Sequence, residues 1–139
     1  MSFADDPLPH EVVIPNDLAA ARDMEERIVA QTATLGYSPE CAFGIRLALE
    51  EAMVNAHRHG NASDPDKTIT VSYDINEDRV VIRVRDEGSG FDPRGVPDPR
   101  QPDRLPLPHG RGIMLMHAYL DDVRYNEQGN EVQLVKERA

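Results

Sequence analysis

Glu51 and Asn55 stand four residues apart in the run Glu50-Glu51-Ala52-Met53-Val54-Asn55-Ala56-His57-Arg58-His59-Gly60, which reads as helix. Positions i and i+4 share a helical face, so a carboxylate and a carboxamide placed this way can address one small ligand. The Asn oxygen is a neutral ligand that suits Mg²⁺, a cation that prefers oxygens and keeps several waters. A carboxylate one turn away can take the proton of an attacking hydroxyl or water. The same two residues would also serve as solvated positions on an amphipathic helix.

A second patch follows a strand, at Asp86-Glu87-Gly88-Ser89-Gly90. Asp86 has the parity of Val80, Ile82 and Val84, so period-two geometry turns it toward the core side of a sheet. An inward carboxylate is costly without a partner, and an adenine amino group would be one. Gly88 and Gly90 remove side-chain bulk where a flat base would lie against backbone. Alternatively, Asp86 caps the turn that follows it as an Asx-turn. A third patch, His109-Gly110-Arg111-Gly112, opens a helix. Helix N-termini offer unpaired amides and the positive end of a dipole to phosphate, and Arg111 adds a fork of donors. Taken alone it is also a plain loop-to-helix junction. His57, His59, His109 and His117 lack the spacing of a zinc site.

These patches need elements to hold them. Residues 10–15 read as a strand stopped by Pro15, and Asn16 or Asp17 caps a helix running to about Leu35. Ser38-Pro39-Glu40 starts a second helix that runs to about His59 and ends at Gly60-Asn61. Its buried stripe is Ala42, Ile45, Leu49, Ala52, Met53 and Ala56; that of the first helix is Leu18, Ala21, Met24, Ile28 and Thr32. Ile69 to Ile75 and Val80 to Val84 alternate as strands around a turn at Asn76-Glu77-Asp78. Residues 89–109 carry six prolines and no periodicity, which marks a long functional loop or lid. A helix over 112–120 and two strands near 123–125 and 132–135 complete the chain. Consecutive hairpins predict an α+β two-layer sandwich, with a mixed, mostly antiparallel sheet and helices on one face. No P-loop or dinucleotide fingerprint is present.

The 139 residues suit one domain spanning 1–139. A composition of 40% hydrophobic and 29% charged residues is that of a globular chain rather than a disordered one. The net charge of −10 opposes direct binding to nucleic acid or an anionic membrane, and favours a protein partner with a basic face. A single cysteine, Cys41, excludes an internal disulfide and fits a reducing cytoplasm. No secretory signal pattern and no spanning apolar run are visible, so a cytoplasmic location is expected.

The segments 51–61, 84–92 and 110–123 resemble the N, G1 and G2 boxes of the Bergerat-fold (GHKL) ATPase superfamily, and within it the anti-sigma-factor serine-protein kinases. The resemblance covers nearly the whole chain. It implies Glu51 as catalytic base, Asn55 as Mg²⁺ ligand, and Asp86 on the adenine amino group, with Gly88 and Gly90 shaping the pocket. Gly110, Arg111 and Gly112, with His109 beside them, would hold phosphates under a lid at 89–109. Where such proteins often carry Thr after the glycine of the last hairpin, this chain has Asn130, which keeps a hydrogen-bonding side chain near the adenine.

The implied activity is ATP- and Mg²⁺-dependent phosphorylation of a serine or threonine on an anti-anti-sigma antagonist. Sequestration of a sigma factor by partner switching, and homodimer formation, are implied as well. The alternative is an ATP- or ADP-binding module that sequesters protein without turnover. The retained Glu51 argues for the kinase.

Overall fold

Ser38 acts as the start signal its sequence suggests. Its hydroxyl accepts from Cys41 N at 3.1 Å, and Pro39 enters the first turn, where its missing N–H is no loss. The helix so begun is α2 (Pro39–Asn55); α1 (Leu18–Thr34) precedes it. The computed structural model describes residues 7–88, 119–126 and 129–138. Of the two candidate caps for α1, Asp17 is the one used, accepting from Ala20 N at 2.7 Å. α1 ends in a Schellman motif: Tyr37 N donates to Thr32 O at 3.1 Å and Gly36 N to Ala33 O at 3.0 Å. Gly36 takes φ +83°, a conformation that costs a side-chain-bearing residue.

Five strands form one sheet: β1 (His10–Pro15), β2 (Thr68–Ile75), β3 (Arg79–Arg85), β4 (Asp122–Tyr125) and β5 (Glu131–Glu137). Their order is β1-β2-β3-β5-β4, and each of these pairings is antiparallel. The β2–β3 turn is held by Asn76, whose Oδ1 accepts from Asp78 N at 2.8 Å and Arg79 N at 3.1 Å. Register places Val71 opposite Val84, Tyr73 opposite Ile82, and Ile82 opposite Leu134. One face therefore collects Ile69, Val71, Tyr73, Val80, Ile82, Val84, Val132 and Leu134, all buried. They pack with Ile45, Ala48, Leu49, Ala52 and Met53 of α2 and with Met24 and Ile28 of α1. Each Val, Leu, Ile or Met among them contributes about 1.5–3 kcal/mol by leaving water. The opposite face is mostly polar, with Arg83 Nε donating to Gln133 Oε1 at 2.8 Å, and carries Val81 opposite Val135.

The sequence reading differs from this fold in two places. α2 does not run as α-helix to His59. It stops at Asn55, and a π-helical turn, Ala56–Gly60, follows, closed by Asn61 N donating to Ala56 O at 2.8 Å. Widened turns of this kind re-aim a helix end and concentrate at functional sites. Leu18 and Ala42 are half-buried rather than core. The loop expected over 89–109 lies outside the described residues, as does the helix expected over 112–120 except for Tyr119 and Leu120.

Glu25 was not foreseen in the core. It is 6% exposed on α1, and its Oε1 has no hydrogen-bond partner among the described residues. Burial first, then the neighbouring Glu50 charge, pushes its carboxyl up to about 7, against the opposing pull of Arg22 and Arg46. Between pH 4.5 and about 7 the folded chain keeps a proton that the unfolded chain has released. Stability therefore falls as pH rises through that window. Glu25→Gln is expected to leave stability at pH 5 little changed and to raise it at pH 8 by about 1–3 kcal/mol. Urea unfolding of both proteins at the two pH values measures the difference. Equal effects at pH 5 and pH 8 would refute it.

Candidate functional site

The end of α2, the π turn after it and the turn after β3 meet at one place. Glu51 and Asn55 lie on the last turns of α2, where Asn55 hydrogen-bonds the Glu51 carboxylate. Glu51 Oε1 and Asn55 Oδ1 are nevertheless buried without a hydrogen-bond partner among the described residues. Buried polar atoms in native proteins are nearly always satisfied, so two unmet acceptors on one helix face mark a place for a ligand. Burial raises the Glu51 carboxyl above the usual carboxylate range, the Asn55 hydrogen bond opposes this, and the Glu50 charge adds to it. A carboxylate raised in this way is a better proton acceptor.

Asp86 follows directly on β3. Its backbone N donates to Asn130 O at 2.9 Å, which joins the turn to the β4–β5 connection. Its Oδ1 accepts from Gly88 N at 2.8 Å, the Asx-turn of one reading, while its Oδ2 lies against Gly60, the inward orientation of the other. The Asx-turn and the inward orientation thus coexist in a single arrangement. Burial raises the Asp86 carboxyl, and the Gly88 amide and then Lys67 hold it down. Such a half-buried acid is a strong acceptor with capacity left for a donor from a base.

Two glycines permit this approach. A Cβ on Gly60 would fall on the Asp86 carboxylate, and one on Gly88 would fall on the Gly60 carbonyl. The backbone of the π turn thus rests directly on the turn after β3. The periodicity of the sequence marks Gly60 as a helix stop, and its contact with Asp86 is set by tertiary packing. Asn130 sits beside Asp86 through its carbonyl. Its side-chain oxygen is engaged by Asn126 Nδ2 at 2.7 Å, and its amide N donates to Asn126 Oδ1 at 3.0 Å.

Tyr125 on β4 was also missed. Register sets it opposite Val132 on the core face, and burial, with the Glu51 charge second, pushes its phenol up to about 12. Gly90, His109, Gly110, Arg111 and Gly112 lie outside the described residues.

The donor set fits an oxygen-seeking cation. Asn55 Oδ1 is a neutral, unengaged ligand, and among the described residues no group of three or more His, Cys, Asp and Glu side chains could hold a metal alone. An ion here would share its shell with water and substrate, as Mg²⁺ does. A surface cavity of about 550 Å³ bordered by Ser38, Cys41, Phe43 and Tyr119 lies at the opposite end of α2 and contains none of these groups. Among the described residues no helix is long and apolar enough to cross a membrane.

Comparison with known proteins identifies the family. Residues 14–136 match the family model described as histidine kinase-like ATPase domain. The serine-protein kinase RsbW of Listeria innocua is 32% identical over 111 residues, covering 73% of this chain and 69% of the relative. The anti-sigma F factor of Heyndrickxia coagulans is 33% identical over 121 residues, 81% of each chain. RsbW of Bacillus subtilis is 29% identical over 113 residues, covering 73% of this chain and 68% of the relative.

The contact between glycine backbones gives a direct test. Gly88→Ala is expected to force the turn off Gly60, costing about 1–3 kcal/mol of stability and weakening ADP binding by roughly tenfold or more. Calorimetric titration with ADP beside a thermal melt reads both. An alanine variant that binds ADP like the parent would show that the contact does not shape the pocket.

Proposed function

The chain belongs to the histidine kinase-like ATPase family, and on that premise we propose that it is an ATP-dependent protein-serine/threonine kinase of the anti-sigma-factor type. The observation that carries the reading is the meeting of the α2 end with the Asp86 turn. The helix that carries two unengaged oxygens, on Glu51 and Asn55, continues into a π turn whose Gly60 lies against Asp86, a half-buried acid suited to a purine. Relatives named as serine-protein kinase and as anti-sigma F factor support the kinase and the protein partner alike.

In this proposal Asp86 accepts from the exocyclic amino group of adenine, and the bare backbone around Gly88 and Gly90 lets the ring lie flat. Asn55 supplies the oxygen for Mg²⁺, which when bound neutralises charge on the phosphates. Glu51 accepts the proton of the attacking serine or threonine hydroxyl. The hydroxyl oxygen then forms its bond to the γ-phosphorus as the bond to the β–γ bridging oxygen breaks, and ADP leaves. Such transfer depends mostly on positioning and charge stabilisation, which a site with one base and few reactive groups can provide. Phosphate contacts are assigned to His109, Gly110, Arg111 and Gly112, and a lid to 89–109, on their sequence alone. Asn130 stays in the proposal as a pocket neighbour, with its carboxamide committed to Asn126.

The substrate we propose is an anti-anti-sigma antagonist, and the protein held in its absence a sigma factor. Phosphorylation of the antagonist would release it and return the kinase to the sigma factor. An acidic chain of net charge −10 suits partners with basic faces better than nucleic acid. Self-association and a cytoplasmic location belong to the same proposal.

Purified protein incubated with ATP, Mg²⁺ and a candidate antagonist is expected to add one phosphate to the antagonist, read by intact mass. Glu51→Gln should lower that rate by about a hundredfold or more while leaving ADP affinity nearly unchanged. Tight ATP binding with no transfer to any antagonist encoded beside the chain would overturn the kinase in favour of sequestration without turnover. Asp86→Asn removes the charge from the hydrogen bond to adenine and is expected to weaken ADP by one to two decades, about 1.5–3 kcal/mol. Unchanged ADP affinity in that variant would remove Asp86 from the pocket.

A further inference from the structure

The side chain of Asn61 is among the most deeply buried in the molecule, with no exposed surface, yet it is a carboxamide. Every polar atom it carries is engaged. Its Nδ2 donates to Thr68 O at 2.9 Å and to Asn16 Oδ1 at 3.2 Å, and its Oδ1 accepts from Glu87 N at 2.7 Å. Its backbone N closes the π turn on Ala56 O, and its carbonyl accepts from Asp64 N at 3.0 Å. Four separate pieces of chain converge on this one residue: the start of α1, the start of β2, the π turn and the turn after β3.

Asn16 braces it. Asn16 is 5% exposed; its Oδ1 also meets His57 Nδ1 at 3.0 Å and its Nδ2 donates to Asp64 O at 2.8 Å. Glu87 closes the loop by returning its Oε2 to Thr68 N at 2.5 Å and Thr68 Oγ1 at 3.0 Å. The residues joined here are immediate neighbours of the pocket. Glu87 lies between Asp86 and Gly88, and Gly60, against which Asp86 packs, precedes Asn61. Within this frame the clasp sets the spacing between the α2 end with Glu51 and Asn55 and the strand end with Asp86.

We propose that Asn61, braced by Asn16, is a positioning residue for purine recognition: it locks the Asp86 turn onto the end of α2, so that the carboxylate meets the base at one fixed place. The proposal rests on the nucleotide reading above and adds a determinant of adenine specificity to it. A carboxamide serves where an aliphatic side chain cannot, because the amide of Glu87 and the carbonyl of Thr68, both in part-buried bonds, would otherwise lose these partners. Asn61 acts through Asp86 and touches no substrate itself.

The experiment compares ADP with GDP, which lacks the 6-amino group that Asp86 would read. Calorimetry on the parent, Asn61→Ala, Asp86→Asn and the double variant gives four pairs of affinities, with thermal melts alongside. The parent should prefer ADP. Asn61→Ala should weaken ADP by roughly tenfold or more and narrow the preference over GDP, and the double variant should be scarcely weaker than Asp86→Asn alone. A purely structural role for Asn61 would lower the melting temperature but leave the ADP-to-GDP ratio in place, and would overturn the proposal. Full additivity of the two losses would also overturn it. Should Asn61→Ala not fold, Asn16→Ala takes its place in the same cycle, with a loss of about threefold or more expected and the same two refuting outcomes. A parent that binds neither nucleotide sinks the nucleotide reading itself; a parent that binds ADP, with Asn61→Ala unchanged, sinks only the positioning role.

Discussion

The candidate site depends on one docking event, that of the widened turn at the end of α2 against the turn that leaves β3. Nothing covalent joins them, and 26 residues of chain separate Asn61 from Glu87. What holds them is a fully satisfied carboxamide and a place where two glycine backbones touch. Both kinds of contact are close to all-or-none. A buried amide or carbonyl left unpaired costs about 1–3 kcal/mol, so a half-made clasp is worse than none. Nor can the glycine contact be loosened gradually, because any side chain there meets a carboxylate or a backbone carbonyl. An arrangement of this sort fixes the distance between two patches far more sharply than apolar packing does, as the proposed nucleotide, spanning both, would require.

The charges in the site have a shared logic. The chain carries ten more acids than bases, yet the family it belongs to uses ATP. Glu51 and Asp86 are both half-buried, and burial is the leading cause of the upward shift in each. Their surroundings disfavour a bare negative charge, so each gains from a donor; in the proposed reading that donor is an N–H of adenine for Asp86 and the O–H of the attacking hydroxyl for Glu51. Asn55, the cation ligand of the proposed reading, is neutral. A third carboxylate at that position would bind a divalent ion more strongly but would add to the repulsion felt by the phosphates. Oxygen without charge is the compromise this helix face adopts.

Much of this was legible in the residues. Alternation in Ile69–Ile75 and Val80–Val84 set the register of the central hairpin, since one face had to be apolar, and Ser38-Pro39-Glu40 and Asn76 marked local starts and turns by chemistry that acts within four residues. The paired Glu51 and Asn55, and the parity of Asp86, were readable for the same reason: each depends on local periodicity. Other features escaped because they are set by distant chain. Asn16 and Asp17 are equally good caps by type, and only the tertiary clasp decides that Asn16 turns inward while Asp17 caps. Gly60-Asn61 reads as a stop signal, and nothing local reveals that the stop is built by a π turn resting on a strand end 26 residues away. Glu25 is a charged position on α1, and nothing local shows that it is buried near Glu50 and Arg46 of α2. Tyr125 was assigned to a strand, but its neighbour Glu51 comes from another layer.

The segment just after the clasp shows which way the causation runs. Ala62 and Ser63 adopt φ of +51° and +56°, the left-handed region that costs residues with a Cβ roughly 1–2 kcal/mol each. No local preference would place two such residues in succession. They are held there by Ser63 N donating to His57 O at 2.8 Å and, on the far side, by Asn16 Nδ2 reaching Asp64 O at 2.8 Å. The chain must leave the π turn sharply if Asn61 is to stay buried and β2 is to begin at Thr68 beside it. Strain in this loop is therefore a consequence of the clasp, and its persistence means that the clasp contributes more than the loop loses. Backbone strain tends to persist beside sites whose geometry is over-determined. Here the over-determination can be traced, bond by bond, to the carboxamide that ties the α2 end to the Asp86 turn.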